Sequence, residues 1–388
     1  MNYVLWENLV KLIAEHIGFY IKTKDYPSLE SKIEARLKAL KLSNLGDYYN
    51  LLKDSVDFEL GNISPQTMYR SQGEWNALAN IITNGESFFF RDRGQFDLLQ
   101  ETLIPQLIEQ KKNALDFNLK IWSSGCSTGQ EPYSLAIVLN KIIPDLSQWN
   151  ITIIGTDINQ DFLKLARIGI YQNWSFRLTE PSFRKDYFTS SSEGWKINHN
   201  IRNIVTFCED NIVQDKTIPI PCYGVDLILC RNVFIYFKKY SVAKGIDKFY
   251  SALNPGGYLM TGHAELQEIA LNKFQILSFP ESVIYQKPEV ETIANSYELF
   301  ESEIDFESMK TDFETDINLP ISNYDFNSLD LDELNSNIDY LTQPQRVITE
   351  QDNNQKFEEN NIVSELKTLL AKAIDREKKE IMPLDGNV

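Results

Sequence analysis

Histidine is scarce in this 388-residue chain, with three copies, and its four cysteines (Cys126, Cys208, Cys222 and Cys230) form no CxxC pair. Neither a zinc site nor a disulfide framework is signalled; no metal is expected, and the thiols fit a reducing cytoplasm. No apolar run approaches the roughly 20 residues that a bilayer crossing needs, so direct membrane insertion is not expected. The opening stretch MNYVLWENLVKLIAEHIGFY carries Glu7 and Glu15 among its apolar residues. It lacks the unbroken apolar centre of a secretory signal and reads as an amphipathic helix. An excess of positive charge is missing as well. The formal net charge is -17, with 24 acidic against 8 basic residues in 289–388 and 31 against 30 in residues 1–288. A nearly neutral body cannot displace counterions from phosphates effectively, so nucleic acid is not an expected partner.

What is present is ordinary for a globular protein: 43% hydrophobic and 24% charged residues, over a length that suits two folded domains with something extra. Residues 1–76 read as a helical domain, with Leu29, Ile33, Leu37 and Leu40 at helical spacing. Lys32 and Arg36 lie one turn apart beside that stripe, positioned to meet an acidic substrate protein, although a solvated helix flank is the commoner reading of such charges. Residues 77–288 alternate short β-rich runs (LKIWSS, ITIIGTDI, IVTFC, VDLILC, YLMTGH) with helical segments such as PYSLAIVLNKII. That alternation predicts an α/β fold with a doubly wound, mostly parallel sheet. FQILSF and SVIYQKP are separated only by PE, too little for a crossover helix, so they must form a terminal antiparallel hairpin. The segment 171–207 is expected to be a small inserted β-subdomain. The acidic tail 289–388 is expected to be largely disordered, with one late helical candidate in NNIVSELKTLLAKAIDREKKE.

The first strand runs into SSGCSTGQEPYS, where Gly125 and Gly129 line a turn before a helix. A glycine-lined turn lets a ligand press against backbone amides. The dinucleotide fingerprint needs glycines at relative positions 1, 3 and 6, and this turn has them at 1 and 5. No Gly-Lys-Ser/Thr closes it, which excludes a phosphate-binding P-loop. A nucleoside with little phosphate remains, and Asp157, ending ITIIGTD, is suited to accept hydrogen bonds from both ribose hydroxyls. Together with the terminal hairpin these features point to S-adenosylmethionine.

Two further segments are dense in functional side chains. GESFFFRDR sets three phenylalanines beside Arg91, and CRNVFIYF places Arg231, Asn232 and Tyr236 just past a strand's carboxyl end, where ligands bind in open α/β sheets. TNGESFFFRDRGQFDLL, IWSSGCSTGQEPYSLAIVL, GTDINQDFLKLARIGIY, VDLILCRNVFIYF and LNPGGYLMTGHAE, in that order, closely resemble the motifs of CheR-type chemotaxis receptor methyltransferases. The resemblance covers about residues 1–288. It implies transfer of a methyl group from S-adenosylmethionine to glutamate side chains of methyl-accepting chemoreceptors, giving γ-carboxyl methyl esters and S-adenosylhomocysteine. It also implies cofactor contacts at Gly85, Ser87, Arg91, Glu131, Asp157, Asn211, Ile212, Cys230 and Arg231, beside Gly125 of the glycine-lined turn. Gly85 departs from relatives that have asparagine there, while Ser87 keeps the hydroxyl of a frequent threonine. Arg91 and Tyr236 match a catalytic arginine and tyrosine of the family.

The chemistry agrees with this set. A glutamate carboxylate is ionised at neutral pH, so no general base is required. Phe88, Phe89, Phe90 and Tyr236 are candidates for aromatic walls, and Arg91 or Arg231 for the group that orients the acceptor carboxylate. Two other readings stand beside this one: a cofactor-binding signalling scaffold without transfer activity, and a carboxyl methyltransferase with a non-receptor acceptor. A monomer is expected, with the tail shielding Lys32 and Arg36.

Overall fold

The computed structural model describes residues 3–57, 64–214, 218–266, 269 and 271–289. The expectations for the acidic tail, including its late helix, lie beyond residue 289 and so outside the described residues. All described residues belong to one compact unit, and no helix among them is long and apolar enough to cross a membrane.

The chain opens with four helices, α1 (Tyr3–Ile17), α2 (Tyr26–Leu40), α3 (Leu45–Asp57) and α4 (Pro65–Ile82). In α1 the buried residues Trp6, Leu9, Val10, Ile13 and Ile17 recur at three- and four-residue intervals, which puts them on one face. That face meets Tyr48 and Leu52 of α3 and Trp75 and Leu78 of α4 in one apolar cluster. Ser64 caps α4 by accepting from the Thr67 N–H at 3.2 Å, with Pro65 at the first helical position, where its missing N–H costs nothing.

Arg36 does not stand free for an acidic partner, contrary to the expectation from its spacing. Its Nε and Nη2 donate to both carboxylate oxygens of Glu74 at 2.9 and 2.7 Å, and Tyr48 donates to the same carboxylate at 2.7 Å. Glu74 is buried, so this bidentate pair prevents an uncompensated buried charge. Lys32 is half-buried beside it.

Helices α5 (Arg93–Leu98) and α6 (Ile104–Asn113), joined through a wide π turn at Leu99–Leu103, lead to β1 (Asn118–Ser124). There follow α7 (Gln130–Ile142), β2 (Asn150–Asp157), α8 (Gln160–Ile168) and β3 (Ile170–Tyr171). The insertion continues with α9 (Pro181–Tyr187), β4 (Phe188–Ser191), β5 (Gly194–Ile197) and α10 (His199–Arg202). The remaining elements are β6 (Val205–Glu209), β7 (Val225–Cys230), α11 (Lys239–Ala252), β8 (Leu253–Thr261), β9 (Gln275–Ser278) and β10 (Val283–Gln286).

Seven strands form the main sheet in the order β6-β2-β1-β7-β8-β10-β9. The first five pair in parallel, and β10 runs antiparallel to both β8 and β9, as the short PE turn requires. Successive residues along the strands fall into different apolar clusters: Ile121, Ile153, Leu227 and Leu229 into one, and Trp122, Ile154, Ile228 and Cys230 into the other. This period of two places a buried layer on each face, as helices covering both sides of a parallel sheet demand. Each wholly buried large apolar side chain contributes about 2 kcal/mol.

The inserted β-subdomain is present as an antiparallel three-stranded sheet, β3-β5-β4. It stops short of the boundary at 207 suggested by the sequence. Val205–Phe207 belong to the main sheet instead, where β6 pairs in parallel with β2.

Candidate functional site

The strand order reverses at β1, whose neighbours are β2 on one side and β7 on the other. A crevice opens there at the strands' carboxyl ends, the position where open α/β sheets bind ligands. It encloses about 940 Å³, open mouth included.

The glycine turn after β1 forms one wall. Gly125 has φ +71°, and a Cβ on it would lie 2.4 Å from a methyl of Val233, so only glycine fits the close approach of the two loops. Ser127, with φ 53°, turns the chain inward, and its N–H donates to Asp157 Oδ2 at 2.8 Å. The other oxygen of Asp157 accepts from Asn159 N–H at 2.8 Å. Burial pushes the Asp157 carboxyl above its ordinary range, while the N–H groups of Asn159, Ser127 and Ile158 pull it back. Asp157 thus fixes the turn and lines the crevice.

A second acid ends the neighbouring strand. Asp210 follows β6 and pairs through Oδ1 with buried Lys248 at 2.6 Å. Its Oδ2 is buried and has no partner among the described residues, and Asp210 is one of the residues that line the crevice. A purine exocyclic amine is a donor suited to that oxygen, and together with Asp157 and the glycine turn it makes the crevice fit an adenosyl group. Asp210 was missed in the sequence, although the signal that located Asp157, an acid just past a strand, is repeated in IVTFCED.

On the β7 side, Arg231 Nε donates to Glu131 Oε2 at 2.7 Å and its Nη1 to Gln95 Oε1 at 2.9 Å. Ser123 donates to the remaining oxygen of Glu131 at 2.8 Å. Past Arg231, Asn232 adopts φ 59° and the chain makes a 3-10 turn through Tyr236. The carboxylate of Glu265 lies against this loop, accepting from Gly262 N–H at 2.6 Å, while its other oxygen is buried without a hydrogen-bond partner among the described residues.

The helical region closes the far side. Phe19, just after α1, stacks on Tyr236 with ring centroids 5.1 Å apart, and the Tyr20 N–H donates to the Tyr236 carbonyl at 2.6 Å. Ile17 and Phe19 line the crevice, which nothing in the sequence IGFYIK indicated. Asn211 donates to the His16 carbonyl at 2.7 Å and accepts from Val213 N–H, so its side chain joins the helical region to the sheet.

The fold therefore gathers most of the expected residues. Ser87, Arg91, Gly125 and Glu131 line the crevice, as do Asp157, Asn211, Ile212, Arg231 and Tyr236. Gly85 and Cys230 do not. Gly85 turns its carbonyl to Ser127 Oγ at 2.9 Å, and a Cβ there would lie 2.5 Å from the Phe162 ring. Cys230 is wholly buried within the sheet's core, where burial pushes its thiol well up. Lys32 and Arg36 lie on α2, outside the crevice lining.

The three phenylalanines also separate. Phe88 alone lines the crevice. Phe89 is wholly buried against Phe176 and Phe188 of the insertion, and Phe90 packs on Phe96 and Phe183. Phe90 and Asp92 have φ 54° and 65°, so strained backbone flanks Arg91 on both sides. Arg91 donates to the Glu86 carbonyl at 3.0 Å.

A family model described as "CheR methyltransferase, SAM binding domain" matches residues 85–283. The chain is 33% identical to "Chemotaxis protein methyltransferase" of Vibrio anguillarum over 286 residues, 72% of this chain and 96% of that protein. It is 33% identical to "Chemotaxis protein methyltransferase 2" of Vibrio cholerae over 216 residues, covering 55% and 74% respectively. With "Chemotaxis protein methyltransferase" of Escherichia coli it shares 28% identity over 266 residues, covering 67% and 83%.

Proposed function

Since this chain belongs to the CheR methyltransferase family, whose cofactor is S-adenosylmethionine, we propose that it methylates glutamate side chains of methyl-accepting chemotaxis receptors, forming γ-carboxyl methyl esters. When bound, the cofactor supplies a methyl group carried on a sulfonium sulfur. Asp157 and Asp210 would hold the nucleoside end by accepting from ribose hydroxyls and the purine amine. Glu131 retains lone pairs beyond those used by Ser123 and Arg231, so it can accept from the cofactor's amino group.

The observation that supports the glutamate reading is that each carboxylate lining the crevice already has an ion pair or hydrogen bond within the protein, which leaves none assigned as a base. Asp157 serves backbone N–H groups, Asp210 pairs with Lys248, Glu131 with Arg231, and Glu86 with Arg177. No histidine is among the lining residues. An amine acceptor, with a reference pKa near 10.4, would need one of these groups as a base, whereas a carboxylate is ionised already.

The two lining arginines divide the remaining work. Arg231 is buried and held by Glu131 and Gln95, so it acts as a positioning residue. Arg91 is less buried, and its hydrogen bond to the Glu86 carbonyl uses one N–H of its fork, leaving others for an incoming carboxylate. Phe88 and Tyr236 supply aromatic walls that limit water around the reacting atoms.

The test is transfer of radiolabelled methyl from S-adenosylmethionine to receptor-bearing membranes, followed by mild alkali and collection of volatile methanol. Base-released label on receptor bands is expected. Alkali-stable label would overturn the carboxyl ester reading, and base-labile label confined to other proteins would overturn the receptor.

A further inference from the structure

Among the described residues no side chain of the insertion lines the crevice, but Arg177 contacts two residues that do, Glu86 and Phe88, and we propose that Arg177 is a positioning residue for methyl transfer, clamping the Glu86–Phe88 segment so that Arg91 stays aimed. This inference rests on the acceptor-orienting role assigned to Arg91 above.

Arg177 lies between two aromatic rings. Its guanidinium carbon is 3.6 Å from the centroid of Phe88 and 4.3 Å from that of Trp174. Its Nη2 meets Glu86 Oε1 at 3.1 Å, and its Nη1 donates to the Trp174 carbonyl at 3.0 Å. Two ring contacts and two hydrogen bonds thus engage the guanidinium within the protein, leaving it poorly placed to bind a ligand. Trp174 is 67% exposed, so its ring serves here as an outer plate of the clamp rather than as core.

What the clamp holds is the segment that supports Arg91. Glu86 presents its carboxylate to Arg177 and its carbonyl to Arg91. Phe88 lies under Arg177 at 3.6 Å and under Arg91 at 5.6 Å. The next peptide is tied to the insertion as well, because the Phe89 N–H donates to the Ser175 carbonyl at 2.9 Å. The strained φ angles at Phe90 and Asp92 require surroundings that hold them, and the Phe89–Ser175 hydrogen bond ties down the residue just before the first of them. Trp174–Arg177 thereby gain a role in holding the Glu86–Phe89 segment: tryptophan stacks, serine accepts from the backbone through its carbonyl, phenylalanine anchors Phe89, and arginine clamps.

The experiment measures cofactor affinity by calorimetry and the methylation rate of receptor-bearing membranes at saturating cofactor, for the full chain and its variants. Arg177→Ala and Trp174→Ala should slow transfer about tenfold to hundredfold, because misplacing an orienting group by about 1 Å has that effect. Cofactor affinity should change less than about threefold, since Asp157, Asp210 and Gly125 are untouched. Trp174→Phe, which keeps a ring face, should restore most of the rate. Arg177→Lys, which keeps the charge without the flat fork, should restore little. Lys196→Ala is the control: Lys196 is exposed on β5, outside the 173–177 turn, and its rate should match the parent. An unchanged rate in Arg177→Ala, or an equal loss in Lys196→Ala, would overturn the clamp. Arg91→Lys separates the two ideas: full activity there removes the Arg91 assignment, whereas an inactive Arg91→Lys beside a fully active Arg177→Ala leaves that assignment standing and removes only the clamp.

Discussion

Glu131 is the residue whose substitution most sharply separates holding a cofactor from holding the protein together. Its carboxylate faces Arg231 across 2.7 Å with side chains only 13% and 2% exposed. Arg231 passes the contact to Gln95, and Gln95 donates to the Thr261 carbonyl at 2.8 Å and to Ser282 Oγ at 2.7 Å. The network thereby joins the end of β1, α7, the end of β7, α5 and the end of β8. Glu131→Gln keeps the shape and removes the charge. Stranding a buried cation costs about 3 to 5 kcal/mol, and a neutral acceptor left in place offsets about 1 kcal/mol of that. The net expectation is a loss of about 3 kcal/mol, roughly a 150-fold change in the unfolding equilibrium. Equilibrium urea unfolding at pH 7 would show it as a lower midpoint with an unchanged slope. In an Arg231→Met background, where no cation remains to be stranded, the same glutamine should cost less than about 1 kcal/mol. A loss below about 1 kcal/mol in the single variant, or additivity of the two substitutions, would refute the reasoning and leave Glu131 as a cofactor contact alone.

Two further outcomes follow from buried groups near the crevice. His16 stacks on Trp75 with ring centroids 3.8 Å apart, and burial lowers its pKa to about 4. A folded-state value below the unfolded 6.5 means that the stability His16 contributes is full above pH 6.5 and is lost as pH falls toward 4. Between pH 7 and 4.5 the loss should be about 2 to 3 kcal/mol, and His16→Phe should remove that share of the pH dependence; an unaltered profile of urea midpoints would contradict this. Gly85→Asn should destabilise by about 1 to 3 kcal/mol because its Cβ would meet the Phe162 ring at 2.5 Å. Phe162→Leu in the same chain should recover part of that loss, and a thermal midpoint unmoved by Gly85→Asn would show that the ring yields freely.

The sequence by itself determined the local elements and the address of the site. Short β-rich apolar runs such as LKIWSS and VDLILC marked strands, the two residues between FQILSF and SVIYQKP left only an antiparallel hairpin, and an acid or arginine just past a strand pointed to the crevice at the sheet's carboxyl edge. These signals are readable because strand period, turn length and strand direction depend on residues close in the chain. Tertiary structure alone decided which side chains were free to act. Arg36 is consumed by Glu74, 38 residues away, and Arg231 by Glu131, 100 residues away. The three adjacent phenylalanines part because Phe89 is drawn into a ring cluster supplied by the insertion, while Phe88 is left beside Arg177. Phe19 reaches the site only because α1 ends against the turn carrying Tyr236. Each of these outcomes is a pairing between distant segments, set by packing that must satisfy every buried charge and ring at once, and no local pattern in the chain encodes it.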